Sequence, residues 1–501
     1  MAVGVLEVLA ALVAIFAAVY YYMTNTADYW AKRGVPFLKP TPFIGNSLAF
    51  LLSTEFRGKV GQRFYHYAKS NGHKYLGVFL GRRPAFIVCD VDLLKTMMVK
   101  DFQYLTDRGL FFDRHREPLS AHLFNLGGPE WKSLRAKLTP TFTTGKMKNM
   151  FYLVRACADQ LDSFLAAETA AGGELEMAEV MAKFTTDVIG SCAFGVEANS
   201  LKDPDAQFRN MGRELFTIPR WRAILFVLGE TMPPLRRLLP VPLLSRNVST
   251  FFTSTFNENV RYREQSGDQR HDFVDLLIQL KKGDAIDPAI MPAQAFIFFI
   301  AGFETSSGAT SACLMELAHH PDVQDRLREE VDRVLAKHAG VISYEALQEM
   351  TYMEQVLEET MRLYPALALL PRVVTRDYQL PDSKSVLEAG TRVLVPVYAI
   401  HRDPEFYPDP DRFDPERFTE ENKRSRPHFA YIPFGEGPRI CIGLRFAMMQ
   451  MKSALTVIMR SYQVTPGPDS VYPMPFETKG IVTRIRGGVH VKISKRQART
   501  A

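Results

Sequence analysis

Residues 431–446 read YIPFGEGPRICIGLRF, and the chemistry in that stretch centres on Cys441. Gly435, Gly437 and Gly443 allow close backbone approach and unusual dihedrals, while Pro438 stiffens the loop. Backbone N–H groups freed by such a turn can point at a sulfur and hold it as a thiolate. Arg439, two residues earlier, supplies positive charge. A nucleophilic cysteine wants a nearby histidine or a helix N-terminus, together with an exposed sulfur. The loop instead offers what the ligand of a large flat cofactor requires. Small residues permit approach, the aromatic Phe434 packs against the plane, and a cation meets an acidic edge.

Three further stretches carry groups with a chemical use. AGFET, residues 301–305, places Glu304 and Thr305 inside a long apolar run, where a carboxylate needs water or a partner. Ala301 and Gly302 keep that surface low, which leaves room for a small molecule beside it. EETMR sets Glu359 and Arg362 three residues apart, on one face of a helix. Taken alone, such a pair is an ordinary surface contact of little worth. WKSLR sets Trp131 and Arg135 four apart, and arginine's forked donors suit carboxylates. Cys89, Cys157, Cys192 and Cys313 read as small buried hydrophobes. An odd total of five, widely spaced and without CxxC, argues against a disulfide framework or a zinc site. It suggests a reducing compartment.

The elements that must hold these groups follow from composition and pattern. The 501 residues are 47% hydrophobic and 23% charged, with no internal repeat, enough for one large buried core. A net charge of +6 suits an acidic protein partner or an anionic membrane surface. Without a basic–aromatic stripe, it does not suit a nucleic acid. Residues 1–23 form a transmembrane anchor. From Ala2 to Met23 only Glu7 is charged, and a helix of that length spans about 33 Å. Tyr20 to Tyr22 fit an interfacial belt, and Lys32 and Arg33 after the span place the remainder on the cytosolic side. Residues 24–44 form a linker that Pro36, Pro40 and Pro42 stiffen. Residues 45–501 are expected to be mainly helical with small sheets. Asp287-Pro288 opens the long apolar helix, with Pro292 able to delay its start. PDVQDRLREEVDRVL and EQVLEETMRLY are amphipathic helices; RRPAFIVC, TRVLVPVYAI and RIRGGVHVKIS are strands.

The pattern Phe434-x-x-Gly437-x-Arg439-x-Cys441-x-Gly443 resembles the haem-binding loop of the cytochrome P-450 monooxygenases. EETMR, then FDPERF with Arg417, resemble the family's Glu-x-x-Arg pair and the arginine that joins it to brace the cofactor loop. AGFET resembles the oxygen-binding groove, where the acid–alcohol pair Glu304 and Thr305 relays protons, with Ala301 beside the cofactor. Trp131, Arg135, Arg372 and Arg439 resemble the groups that bond the haem propionates. The resemblance covers nearly the whole chain and implies the cytochrome P-450 fold behind an N-terminal transmembrane helix. YWAKRGVPFLKPTPFIGN, AQAFIFFIAGFETSS and PFGEGPRICIG are most similar to the insect family 6 enzymes, which oxidise xenobiotics such as plant toxins and insecticides.

That resemblance implies haem b with Cys441 as the axial thiolate and metal ligand, and dioxygen as co-substrate. It implies NADPH only through a partner, NADPH–cytochrome P-450 reductase, with cytochrome b5 as a second donor. It further implies an endoplasmic reticulum membrane with the catalytic domain facing the cytosol. Lys423, Arg424 and Arg426 read as part of a docking face or as a solvated run. By the family's layout, small lipophilic substrates would meet Phe111, Phe112, Phe124 and Phe303. Leu369, Leu370, Ile481 and Val482 would complete that apolar wall. Segment 221–244 reads as a membrane dip or a buried helix pair. The alternatives are the same chemistry on an endogenous hormone or fatty acid, a dioxygen-independent isomerase or dehydratase, and a haem sensor or carrier. The intact Glu304-Thr305 pair weighs against the isomerase or dehydratase, and the anchor, relay and propionate clamps together weigh against the sensor or carrier.

Overall fold

One arginine fixes the place where the first helix ends. In the computed structural model, which describes residues 2–110, 112–216, 221, 225, 229, 242, 244–381 and 383–496, the chain forms two compact units. The first comprises Met1–Gly109, Pro219–Val241 and Leu369–Ile400; the second comprises Leu110–Ile218, Pro242–Ala368 and His401–Ala501. Phe111 and most of segment 221–244 lie outside the described residues.

In the first unit, helix α1 (Ala2–Thr24) is exposed from Gly4 to Tyr21 and apolar enough to cross a membrane. Its last turn is held by Arg82, whose Nε donates to the Tyr22 carbonyl at 2.9 Å while the guanidinium lies 3.9 Å from the Tyr22 ring centre. Thr26 Oγ1 returns a bond to the Arg82 carbonyl at 2.7 Å. The proline-rich segment that follows is not a free spacer. Trp30 is fully buried and donates its indole N–H to Val78 at 3.1 Å, and Phe37 bridges to Gly77. Burying so large a ring outweighs the freedom of the linker.

Strands β1 (Tyr75–Leu80), β2 (Arg83–Val88), β4 (Leu370–Val373) and β7 (Arg392–Val395) form a sheet in the order β1-β2-β7-β4. Only the β2–β7 pairing is parallel. Short strands β5 (Tyr378–Gln379) and β6 (Val386–Leu387) pair beside it in sequence, and α2 (Arg57–Ser70) completes the unit. The stretch TRVLVPVYAI is strand only as far as Val395. Pro396 cannot donate to a ladder, and Val397–Ile400 turns helical.

The second unit is mainly helical. Its labelled helices are α3 (Gly128–Leu138), α4 (Thr144–Ala170), α5 (Met177–Ile189), α6 (Gln207–Phe216), α7 (Met291–His319), α8 (Pro321–Lys337), α9 (Thr351–Leu363) and α10 (Leu444–Ser461). Asp287 caps a separate 3-10 turn, Pro288–Ile290, so the helix proper begins at Met291 with Pro292 in its first turn. Helix α7 is largely buried, as its all-round apolar sequence requires. Strands β3 (Glu174–Glu176), β8 (Tyr462–Pro466) and β9 (His490–Lys495) form an antiparallel sheet in the order β3-β9-β8. Along β9, Val491 and Ile493 face inward and alternate with polar residues.

Candidate active site

The loop before α10 is wound tightly. Gly435 and Gly437 take φ values of 71° and 72°, which residues with a Cβ rarely adopt. Pro438 sits in the 3-10 turn Gly437–Arg439 that follows, and the Glu436 carboxylate accepts the Gly437 N–H. The loop closes where Cys441 N–H donates to the Phe434 carbonyl at 3.0 Å, with the Phe434 side chain half-buried. Cys441 emerges exposed, whereas the other four cysteines are buried.

Arg439 is buried and spans back to the segment before α3. It donates to the carbonyls of Leu123 (3.4 Å) and Leu126 (2.7 Å) and stacks 4.0 Å from the ring centre of Trp131. Its charge is therefore spread over fixed carbonyl dipoles and a π face. Arg135 stands one turn along α3 from Trp131. Burial pushes its pKa down, while the Cys441 sulfur acts in the opposite direction. Arg372, in the first unit, is 2% exposed and donates to the Pro371 carbonyl, but its Nε has no partner among the described residues. Burial lowers its pKa to about 10. Among the described residues no carboxylate pairs with this enclosed guanidinium, so its charge is uncompensated there.

The loop's lead-in is braced by a buried network. Arg362 and Glu359 are fully buried and form a two-point pair, Nε to Oε2 at 2.6 Å and Nη2 to Oε1 at 2.8 Å. Arg362 also donates to the carbonyls of His401, Pro410 and Arg412, and Glu359 accepts the Asp414 N–H. Arg417 stands 3.5 Å from Glu359 and donates to the Asp409 carbonyl. His401, absent from the sequence reading, connects this network to the loop: its Nε2 accepts the Ile432 N–H at 2.9 Å. Burial, reinforced by the Arg362 and Arg402 cations, pushes its pKa down to about 3, so the ring is neutral. A lone histidine followed by Arg-Asp-Pro carries no sequence signal for this role.

In α7, Ala301 is exposed although Phe299 and Phe303 on either side are buried. Gly302 does not open space for a small molecule. A Cβ there would lie 2.4 Å from Ile189, so this glycine lets α5 and α7 approach. Thr305 Oγ1 donates to the Ala301 carbonyl at 2.6 Å, and Glu304 pairs with Arg484.

The expected substrate contacts are spread. Phe303 is buried against Phe299 and Phe216, while Phe112 and Phe124 are half-buried. In the first unit, Leu369 packs against Gly61 and Leu370 is buried in β4. Ile481 is exposed and Val482 half-buried. Of the basic run, Lys423 pairs with Glu358 and Arg426 stacks over Tyr407 and Phe418, leaving Arg424 exposed.

These residues fit haem. No group of three or more His, Cys, Asp or Glu gathers among the described residues, so a bare metal ion has no cage. One exposed thiol on a rigid loop suits an iron whose other ligands come with the cofactor. The basic Arg135 near Cys441 suits a carboxylate-bearing group.

Residues 35–491 match the family model described as Cytochrome P450. The chain is 41% identical to the probable cytochrome P450 6a14 of Drosophila melanogaster over 93% of this chain and 95% of that one. It is 39% identical to that fly's cytochrome P450 6a2, over 97% and 98%. It is 38% identical to cytochrome P450 6j1 of Blattella germanica, over 98% of each. With its thiol loop, its buried Glu-x-x-Arg brace and these matches, the chain belongs to the cytochrome P450 family, among the insect family 6 monooxygenases.

Proposed function

We propose that this monooxygenase oxidises lipophilic xenobiotics such as insecticides and plant toxins, with Cys441 as the axial ligand of its haem. Electrons come from NADPH–cytochrome P-450 reductase, with cytochrome b5 as a second donor. The observation that carries the ligand assignment is Cys441, the one exposed thiol of the five, presented by a loop that closes on Phe434. When bound, thiolate-ligated haem supplies the activation of dioxygen and its transfer into a C–H bond.

The chain's own residues do the rest. Arg439 and Trp131 brace the loop against the segment before α3. Arg135 meets the acidic edge of the cofactor, and the burial of Arg372 without an anion supports the same role for it. Glu359, Arg362 and Arg417 have a structural role, fixing the lead-in. Glu304 and Thr305 hold and pass protons on α7, beside Ala301. The aromatic wall of Phe216, Phe299 and Phe303 favours apolar ligands. The exposed, uncharged length of α1 after Glu7 supports an endoplasmic reticulum anchor with the domain on the cytosolic side.

The test is the reduced, carbon-monoxide-bound absorption spectrum. Thiolate ligation gives a strongly red-shifted Soret band, lost in Cys441→Ala. A haem band without that shift in folded wild-type protein refutes the ligand. A panel of lipophilic toxins, hormones and fatty acids with added reductase then decides the substrate class.

A further inference from the structure

Beside Thr305 lies a cavity of about 350 Å³, whose wall includes Glu304, Thr305, Ser307, Phe216, Thr483 and Arg484. Its other charged groups have partners of their own. Glu179 is paired with both Arg209 and Arg213, and Glu176 caps the first turn of α5. Glu304 is instead held by Arg484, whose Nε donates to its Oε1.

Arg484 is itself well placed. Its guanidinium lies 4.6 Å from the ring centre of Phe216, the last described residue of α6. Its backbone carbonyl accepts the Glu477 N–H at 2.8 Å. The preceding Thr483 is tied by two bonds, to the carbonyls of Pro365 and Ala366. The side chains are 13% (Glu304) and 37% (Arg484) exposed, so the pair is wet enough to open and contributes little to stability. Position, rather than stabilisation, is what it supplies. Thr305 spends its hydroxyl proton within α7, on Ala301, which leaves the oxygen lone pairs to accept.

We propose that Arg484 is a positioning residue for proton supply: it holds the Glu304 carboxylate at the cavity wall, between solvent and Thr305. This rests on the relay assigned above to Glu304 and Thr305. A proton passes from cavity water to the Glu304 carboxylate and from there to the Thr305 oxygen, which releases its own proton onward. Only O–H bonds form and break, and water supplies each proton.

The experiment measures peroxide released per NADPH consumed by the full chain in membranes with reductase. Its variants are Thr305→Ala, Glu304→Gln, Arg484→Gln and Arg484→Lys. Arg484→Gln should raise the leak several-fold and change the solvent isotope effect, while keeping the carbon-monoxide spectrum. Arg484→Lys should recover most of the coupling. In a Glu304→Gln background, Arg484→Gln should add nothing to the leak. If Arg484→Gln fails to retain haem, Phe216→Leu carries the test, because it removes the ring beneath the guanidinium; wild-type coupling then overturns the proposal. Wild-type coupling in Arg484→Gln while Thr305→Ala leaks overturns the role of Arg484 alone. So does an effect that adds fully to Glu304→Gln. A Thr305→Ala variant that does not leak refutes the relay, and this inference with it.

Discussion

The ring of His401 accepts the backbone N–H of Ile432, and its other nitrogen faces the carbonyl of Arg362 at 3.3 Å. One neutral imidazole thus joins the Glu359–Arg362 pair to the strand-like lead-in of the thiol loop. His401→Ala strands the Ile432 N–H in the interior, at a cost of about 1–3 kcal/mol. A lower melting temperature and faster haem loss are expected, with the largest change near residues 432–441 in amide exchange.

The same ring makes stability depend on pH. Its folded pKa, about 3, lies below its ordinary value of 6.5. The unfolded chain therefore binds the proton more readily, and the stabilisation present above about 6.5 is lost as pH falls toward 3. The slope is at most ~1.4 kcal/mol per pH unit. Denaturant midpoints of the wild type should fall more steeply from pH 6.5 to 5 than those of His401→Asn. Parallel curves would show that His401 titrates as in the unfolded chain.

Thiol chemistry separates Cys441 from its siblings. Burial pushes Cys89 and Cys313 up to about 12 and raises Cys157 and Cys192 as well. All four should resist iodoacetamide in folded protein. Cys441 should be labelled once haem is extracted under native conditions and protected while it is bound. Mass spectrometry of the labelled peptides reads both states.

The sequence reveals those features whose partners lie close along the chain or whose pattern repeats. The apolar run from Ala2 to Met23 becomes α1 almost to the residue, and Pro292 delays α7 as its missing N–H requires. The family and its mainly helical fold were likewise legible, because the thiol loop and EETMR are compact patterns. His401 and Arg484 were not, since each acquires meaning from a partner 31 or 180 residues away. Linker docking escaped for the same reason: Trp30 finds its pocket on β1, forty-eight residues on. Gly302 reads as open space in the sequence because a glycine leaves the same gap whether a ligand or another helix fills it.

The Glu359–Arg362 brace demands geometry as well as charge. Arg362 uses three nitrogens to reach Glu359 and three carbonyls at once. Lysine keeps the charge but not the planar fork. Arg362→Lys should therefore behave almost as badly as Arg362→Ala, which leaves the buried Glu359 with only Arg417, at 3.5 Å, and the Asp414 N–H, at a cost of up to about 3–5 kcal/mol. The yield of haem-loaded protein, measured against total folded protein by circular dichroism, distinguishes the two. Full rescue by lysine would mean that charge alone matters.

Helices α5 and α7 meet where Gly302 faces Ile189, and a methyl group added at Gly302 would sit 2.4 Å from Cδ1 and 3.0 Å from Cγ1 of that side chain. Overpacking of this kind costs about 1–3 kcal/mol. The strain falls beside groups that depend on the local backbone: Gln450 donates to the Gly302 carbonyl at 3.0 Å, and Thr185 to that of Phe303 at 3.1 Å. Gly302→Ala should thus lower the melting temperature and raise the peroxide leak, because Glu304 and Thr305 shift with the helix. Shortening the opposing side chain restores room where the approach is closest, so Gly302→Ala with Ile189→Val, which removes Cδ1 at its own cost of about 0.5–1.5 kcal/mol, should recover part of both losses. Recovery of stability without recovery of coupling would assign the glycine to packing alone. If neither recovers, the α5–α7 contact is not where the added methyl group acts.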